Sequence, residues 1–579
     1  MRNPLIVLKF GSSVLRSEED LPRVVHEIYR WYREGYRVVA VVSAFAGVTD
    51  DRFATAGTFC ADPDAASTAV LVAIGEAHSA ALLGLALDRA GVPASVLDAA
   101  AIKLETVGPK LDGDCASVDV NSILRHLERH PVAVVPGFVG RQADGSISLL
   151  GRGGSDLSAL FLAQQLSARC RLIKDVDGLY ECDPAERAIT PRRYSEITYK
   201  DALELEGEIV QPKAIRFARE HGLQFEVGCC NSESGTVVGA AKTSFSSREV
   251  QVPPFRVGLL GLGTVGLGVF QELLREPELF IVSGVAVLNR AKRRDFSVPS
   301  DVPIMDAWSI CESDCDVVIE LIGGLSPAAE LVRAAMEKGK HVITANKLLL
   351  AVSGEQLRRV AEENGVAFLY SGAVGGATPM LEIVRRIAGE YEISEIRGVL
   401  NGTCNFVLDS IASGKSREDA VRLAQARGFA EADPVQDLDG SDAAQKLALL
   451  AQVAFETQIP FQEVDKKGIL GILEEEIREL TETGQKVRLV AHAVRSQRGT
   501  DCRVSPETID SDHPFASVNG EANWLEVKTS AGEVFTVSGR GAGRWPTAEA
   551  VFADALDLWR RSALHPSVSE EELLVGGAV

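Results

Sequence analysis

The segment RVGLLGLGTVGLGVFQELL at residues 256–274 constrains this chain more than any other. An apolar, strand-like run passes through Gly261, Gly263 and Gly266 in GxGxxG spacing straight into an amphipathic helix. That succession is the first βα turn of a parallel sheet approached by a dinucleotide. Gly261 allows the tight turn, Gly263 lets a pyrophosphate reach the backbone, and Gly266 lets helix pack on strand. Thr264 and Val265 open the helix, whose N-terminal N–H groups face the phosphates. A glycine-rich turn that binds nothing has the same spacing, so the next strand has to arbitrate.

That strand, FIVSGVAVLNRAKRRD at 280–295, arrives where a βαβ unit places the residue that selects the ribose. An NAD-binding chain shows Asp or Glu there. Here stand Asn289 and Arg290, followed by Lys292, Arg293 and Arg294, which suit the 2′-phosphate of NADP(H), with Arg290 its best single carrier. A solvated basic turn has the same composition, and NAD use is not excluded by it.

Before this unit lie about 250 residues with their own strand–helix alternation: LIVLKF, a helix around 21–34, then YRVVAVVSA. The polar stretch TSFSSREVQVPP at 243–254 breaks the rhythm and ends in two prolines. The reading is α/β throughout: a three-layer domain over 1–245, a linker at 246–255, a Rossmann domain over 256–370 completed by about 542–565, an α+β domain over 371–541 and a tail at 566–579. A second α/β pattern starting at Arg256 as if afresh points to a fusion.

Composition narrows the partners. A formal charge of -21 disfavours nucleic acid and anionic membranes, leaving small molecules and other copies of the chain. The ten cysteines include only two close groups, Cys229 with Cys230 and Cys311 with Cys315, and no histidines complete a zinc set, so reduced thiols are expected. The apolar run near the N-terminus is four residues, too short for a signal peptide or a membrane span, and a cytoplasmic location is expected.

The stretch 440–455 reads as a helix with positions 442, 446, 450 and 453 on one face. Asp442 and Lys446 are one turn apart on a face that continues into Leu450 and Val453. Two readings stand level: a buried pair that needs partners or a function, or an exposed i,i+4 salt bridge worth a few tenths of a kcal/mol. The acidic run Asp433, Asp437, Asp439 lacks the ligand order of a calcium loop and reads as solubilising.

The blocks DVVIELIGG, HVITANKLLLA, SGAVGGATPM, GVLNGTCNF, GFAEADPVQDLDGSDAAQKLALLAQVAF and GRGAGRWPTA follow in order from 316 to 548. In series with the glycine motif they resemble homoserine dehydrogenase. The resemblance implies NADP-dependent interconversion of aspartate semialdehyde and homoserine. It makes Lys446 the general acid and Asp442 a residue orienting the substrate amine or water. It puts Lys347 beside the nicotinamide on the proton path, Glu431 on the substrate amino group, and Gly323 and Gly543 on the cofactor. It also implies a monovalent cation, usually Na+, on main-chain oxygens of Ser371, Val374, Gly376 and Thr378, although the family usually has an acid at the Ser371 position.

Lys9 in KFGSSV, Ser43 and Thr49 in VVSAFAGVTD, Glu76 in IGEAHS, GRGGSD at 151–156 and KDVDGLYECDP at 174–184 form another ordered series. It resembles the catalytic domain of aspartate kinase, of the amino acid kinase family. Lys9 and the amides after it suit neutralisation of a transferring phosphate. The resemblance implies that Thr49, Glu76, Arg152, Ser155 and Asp156 hold aspartate, and that Lys9, Gly11, Ser12, Lys174, Asp175, Tyr180 and Asp183 frame ATP with Mg2+. One departure places Glu208, in GEIVQPK, where the family has a nucleotide-contacting lysine, and a carboxylate there repels phosphate.

Three readings follow: a bifunctional enzyme, an active dehydrogenase with a kinase-like binding or assembly module, or both folds serving a related semialdehyde. The family's ACT regulatory pairs are expected to be lacking, since only the short linker parts the two halves. A homodimer or higher homo-oligomer is expected, built on a sheet from segments near 371–380 and 484–541.

Overall fold

The computed structural model describes residues 3–182, 191–205, 209–246, 252–288, 296–427, 429–430, 433–496 and 499–564. The chain forms two compact units, Arg2–Val250 and Gln251–Val579.

In the first unit, nine strands form one sheet with Leu5–Phe10 in its interior, flanked by Arg37–Val42 on one side and Arg169–Lys174 on the other, these three parallel to one another. Past its first residue each of these strands is buried, Lys9, Arg171 and Lys174 included, as in a parallel sheet covered on both faces. Val7, Val39, Val41, Val135 and Leu172 make the core with helix Gly154–Leu166. A four-stranded sheet, 105–149, stands beside it. The last strand of the nine, Ser244–Phe245, reaches the edge of the segment expected to be a linker. Among the described residues one helix, Ala65–Ala90, is long and apolar enough to cross a membrane by length and composition. Its buried side carries Ala69, Val72, Leu83 and the carboxylate of Glu76.

The second unit starts with six parallel strands in the order 304–305, 280–286, 255–260, 317–320, 341–344, 368–369. The first strand in sequence, Phe255–Leu260, is central, so the order in which strands are added reverses between it and Val317–Glu320. That reversal opens a crevice at the carboxyl ends of the two strands. Helix Arg544–Leu564 returns from the far end to complete the domain. Its Ala548, Val551, Phe552 and Ala555 share one core with Val257, Leu259 and Phe270.

Between these segments lies a second six-stranded sheet, 393–399 and 465–540, accompanied by helices Met380–Glu390, Gly402–Ala412 and Ser441–Phe455. In Ala522–Thr529, Asn523, Leu525, Val527 and Thr529 are buried and the residues between them are partly or fully exposed, the alternation of a sheet covered on one face. Residues 371–380, expected to join this sheet, do not: Ser371–Ala373 is a 3-10 turn, and the whole segment is buried within its own unit. Its glycines and the following Pro379 favour turns over a strand ladder. All ten cysteines are free thiols.

Candidate active sites

In the second unit the glycines of the crevice behave as their spacing requires. Gly261 has φ +102°, and a Cβ there would sit 2.7 Å from the Leu321 carbonyl oxygen across the crevice. A Cβ on Gly266 would meet the Gly261 carbonyl at 2.1 Å, whereas one on Gly263 would meet nothing within 4 Å. Gly261 and Gly266 are thus glycines for packing, and Gly263 presents open space at the N-terminus of helix Thr264–Arg275. This cradle fits a dinucleotide pyrophosphate. Gly323, at φ +77°, lies on the opposite lip with its far side open. Asn289, Arg290 and the basic run after them lie outside the described residues.

Below the crevice, Lys347 is the first residue of helix Lys347–Glu363, capped by the Asn346 side chain on Leu349 N at 3.1 Å. Lys347 Nζ donates to Asp442 Oδ1. Asp442 and Lys446 are 5% and 4% exposed, which decides between the two readings of their spacing. They form a buried pair, Nζ to Oδ2 2.7 Å, and Lys446 Nζ also donates to the Leu400 carbonyl at 2.8 Å. Two of its three N–H bonds are engaged among the described residues, so the third remains for the pocket.

Burial opposes the Asp442 charge, but the two ammonium groups outweigh it and hold the carboxyl well below the usual range. Burial pulls the Lys446 ammonium below its ordinary value, and Lys347 adds to this, against Asp442. Asn401 Nδ2 donates to Asp442 Oδ2 at 2.9 Å and to Asp437 Oδ1 at 2.7 Å. Asp437 is therefore a site residue and not a solubilising one, which corrects the sequence expectation. Burial, then the charge of Asp442, raises its carboxyl. Gly402, Thr403, Phe429, Glu521 and Gly543 close the same pocket. Glu431 lies outside the described residues.

The segment proposed for a cation is buried. Val374 N donates to the Ser371 carbonyl at 3.1 Å and Met380 N to the Thr378 carbonyl at 2.7 Å. Gly376, at φ +55°, lies against the Arg540 carbonyl, and the buried Thr378 hydroxyl has no hydrogen-bond partner among the described residues. Ser371 Oγ bonds to Glu382 and, at 2.6 Å, to Asp554. Acids from two other helical segments thus approach the position where the family has its own.

In the first unit, Asp156 in the opening turn of Gly154–Leu166 bridges Lys9 and Lys174, at 2.7 and 2.9 Å, from adjacent parallel strands. Burial opposes the Asp156 charge, yet the two lysines hold its carboxyl at about 2. Sharing one carboxylate does not offset burial for Lys174, which falls to about 8. A side chain on Gly11 would come within 2.7 Å of Lys9 Nζ, so glycine leaves room for that ammonium. Glu76 accepts from Ala44 N at 2.8 Å, and burial pushes its carboxyl up to about 8.

A cleft of about 530 Å³ joins Lys9, Ser12, Thr49, Glu76, Arg152, Ser155, Asp156 and Lys174. Gln211, which the sequence reading passed over, lines it too. Asp175 and Tyr180 do not line it; the Tyr180 hydroxyl bonds to Asp177 at 2.6 Å. Asp183 and Glu208 lie outside the described residues.

Fold and site together define a dinucleotide-dependent dehydrogenase with an amino acid kinase domain ahead of it. Comparison with known families agrees: residues 4–228 match the amino acid kinase family, 261–371 the homoserine dehydrogenase NAD binding domain, and 379–556 homoserine dehydrogenase. The homoserine dehydrogenase of Pseudomonas aeruginosa is 38% identical over 323 residues, 54% of this chain and 74% of that protein. That of Bacillus subtilis is 34% identical over 319 residues, 53% of this chain and 74% of that protein. The crystal structure of a homoserine dehydrogenase from Thiobacillus denitrificans aligns at 35% identity and TM-score 0.51, over 55% of this chain and 76% of that one. The chain belongs to the homoserine dehydrogenase family, in a fusion with an amino acid kinase family domain.

Proposed function

We propose that residues 251–579 reduce aspartate semialdehyde to homoserine with NADPH, and that residues 2–250 transfer phosphate from Mg-ATP to the β-carboxylate of aspartate. The buried Asp442–Lys446 pair, joined by the half-exposed Lys347 at the foot of the glycine-lined crevice, carries the first reading. NADPH when bound supplies hydride to the aldehyde carbon. The oxygen left negative needs one proton, and Lys446, which lines the pocket, is the group to give it. Asp442 fixes the direction of that ammonium, and Lys347, half-exposed, connects the cluster to solvent for reprotonation. Arg290 is the residue proposed to select the 2′-phosphate, Glu431 and Asp437 the substrate's amino and hydroxyl ends. The buried carbonyls of 371–378 would suit Na+.

The kinase reading rests on Lys9 and Lys174 held in one cleft by Asp156, two cations where a transferring phosphate needs them. The open half of the 393–540 sheet is the face proposed to pair two copies.

NADPH oxidation with aspartate semialdehyde, beside ATP-dependent aspartyl hydroxamate formation, tests both halves. Lys446→Ala is expected to lower reductase kcat by about 100- to 10,000-fold and leave hydroxamate formation unchanged. Absence of hydroxamate with intact protein would make the first unit a binding module. Failure to reduce this semialdehyde, with a related one reduced, would move the substrate and keep the fold.

A further inference from the structure

Glu320 ends strand Val317–Glu320 without any exposed surface, and no cation pairs with it among the described residues. A carboxylate in such a place costs several kcal/mol unless its lone pairs are filled. They are filled by two separate parts of the site. Oε1 accepts Ile322 N at 2.8 Å and Gly323 N at 3.2 Å, which curls the lip of the dinucleotide crevice back onto the strand end. Oε2 accepts the Thr344 hydroxyl at 2.6 Å, from the residue directly in register on the neighbouring strand.

Thr344 passes the connection on, its Oγ1 accepting Asn346 N at 3.0 Å. Asn346 in turn donates from Nδ2 to the Gly324 carbonyl at 2.6 Å and caps Leu349 N with Oδ1 at 3.1 Å. The next residue is Lys347, whose ammonium meets Asp442. An unbroken chain of hydrogen bonds therefore runs from the crevice lip to the first turn of the helix that presents Lys347.

We propose that Glu320 is a positioning residue that, through Thr344 and Asn346, couples the lip Ile322–Gly324 to the placement of Lys347 against Asp442. Because the N–H groups of Ile322 and Gly323 are taken by Glu320, the lip meets a dinucleotide with its other side. Any displacement of the lip must then move Asn346 and the helix start. This inference rests on the reading that Lys347 and Lys446 serve the hydride-transfer site.

Thr344→Val keeps the branched shape and removes both the donor and the acceptor, and Thr344→Ser restores them. In the full-length protein, NADPH binding is expected to slow hydrogen exchange at the amides of 347–350 in wild type and T344S, and not in T344V. T344V should also lose about tenfold in reductase kcat with less than threefold change in NADPH KM. The alkaline limb of its kcat–pH profile should move upward, as in Lys347→Gln, because the charge of Lys347 no longer presses on Lys446. Glu320→Gln, which keeps volume and loses the second acceptor, should shift the limb the same way. Equal slowing of exchange in T344V, or a kcat loss with an unmoved pH limb, overturns the coupling. Wild-type protein that shows the exchange response but reduces no semialdehyde would instead sink the substrate assignment and leave the coupling standing.

Discussion

At the residue scale, burial decides what a spacing means. Asp442 and Lys446 one turn apart could have been a surface pair; enclosed, they form with Lys347 a cluster of two cations on one anion. Asp437 and Asn401 escaped sequence reasoning for the complementary reason. An acidic run looks solubilising, and an asparagine before a helix looks like a cap, which Asn401 also is, accepting Cys404 N at 2.8 Å. That its amide also ties two carboxylates together depends on two helices, 36 and 41 residues away in sequence. In the other unit the altered property is the proton affinity of Glu76. With its carboxyl raised to about 8 by burial, the unliganded residue is mostly protonated at neutral pH. A substrate ammonium favours the ionised form, which is populated as pH rises. The KM for aspartate in the hydroxamate assay should therefore fall several-fold from pH 6.5 to 8.5 and level off above it. Glu76→Gln should bind more weakly and without that slope; a wild-type KM flat over the same range would remove Glu76 from the aspartate site.

At the element scale, turns carry more of the site than helices or strands do. The GxGxxG turn contains glycines of two kinds, and the structure separates them. Gly266→Ala would press a methyl onto the Gly261 carbonyl, so it should lower Tm and weaken NADPH binding together. Gly263→Ala meets no protein atom, so Tm without cofactor should hold while NADPH affinity falls by tenfold or more. Thermal melts with and without NADPH on the two variants distinguish these outcomes, and an unchanged affinity in Gly263→Ala would place the pyrophosphate elsewhere. The strand, turn and helix here were legible because strand period, glycine spacing and helix amphipathicity are local. Residues 371–380 show the limit: a segment of small residues reads as readily as an edge strand as a buried turn. Its glycines and Pro379 favour the turn, and the Ser371 contacts with Glu382 and Asp554, the latter 183 residues on, hold it in place.

At the scale of the whole molecule, two units with separate cores are proposed to bind chemically different nucleotides, and the proposed reactions are not consecutive, so another enzyme must act between them. Separate cores predict separate unfolding. Calorimetry of the intact chain should show two transitions, one raised by NADPH and the other by a non-hydrolysable Mg-ATP analogue. Each ligand at a hundredfold excess over its Kd adds about 2.7 kcal/mol to the unit that binds it. A single transition moved by both ligands would show that the units fold as one. The sequence by itself determined the α/β class, the break near residue 250, the dinucleotide turn and the families of both halves, because each is written in local periodicity or in motifs kept in order along the chain. Only the tertiary structure decided which charges are buried together, that Asp156 bridges two lysines, and that Glu320 joins the crevice lip to the helix of Lys347. Those facts depend on distances between residues far apart in the chain and on exclusion of water, and neither is encoded at any single position.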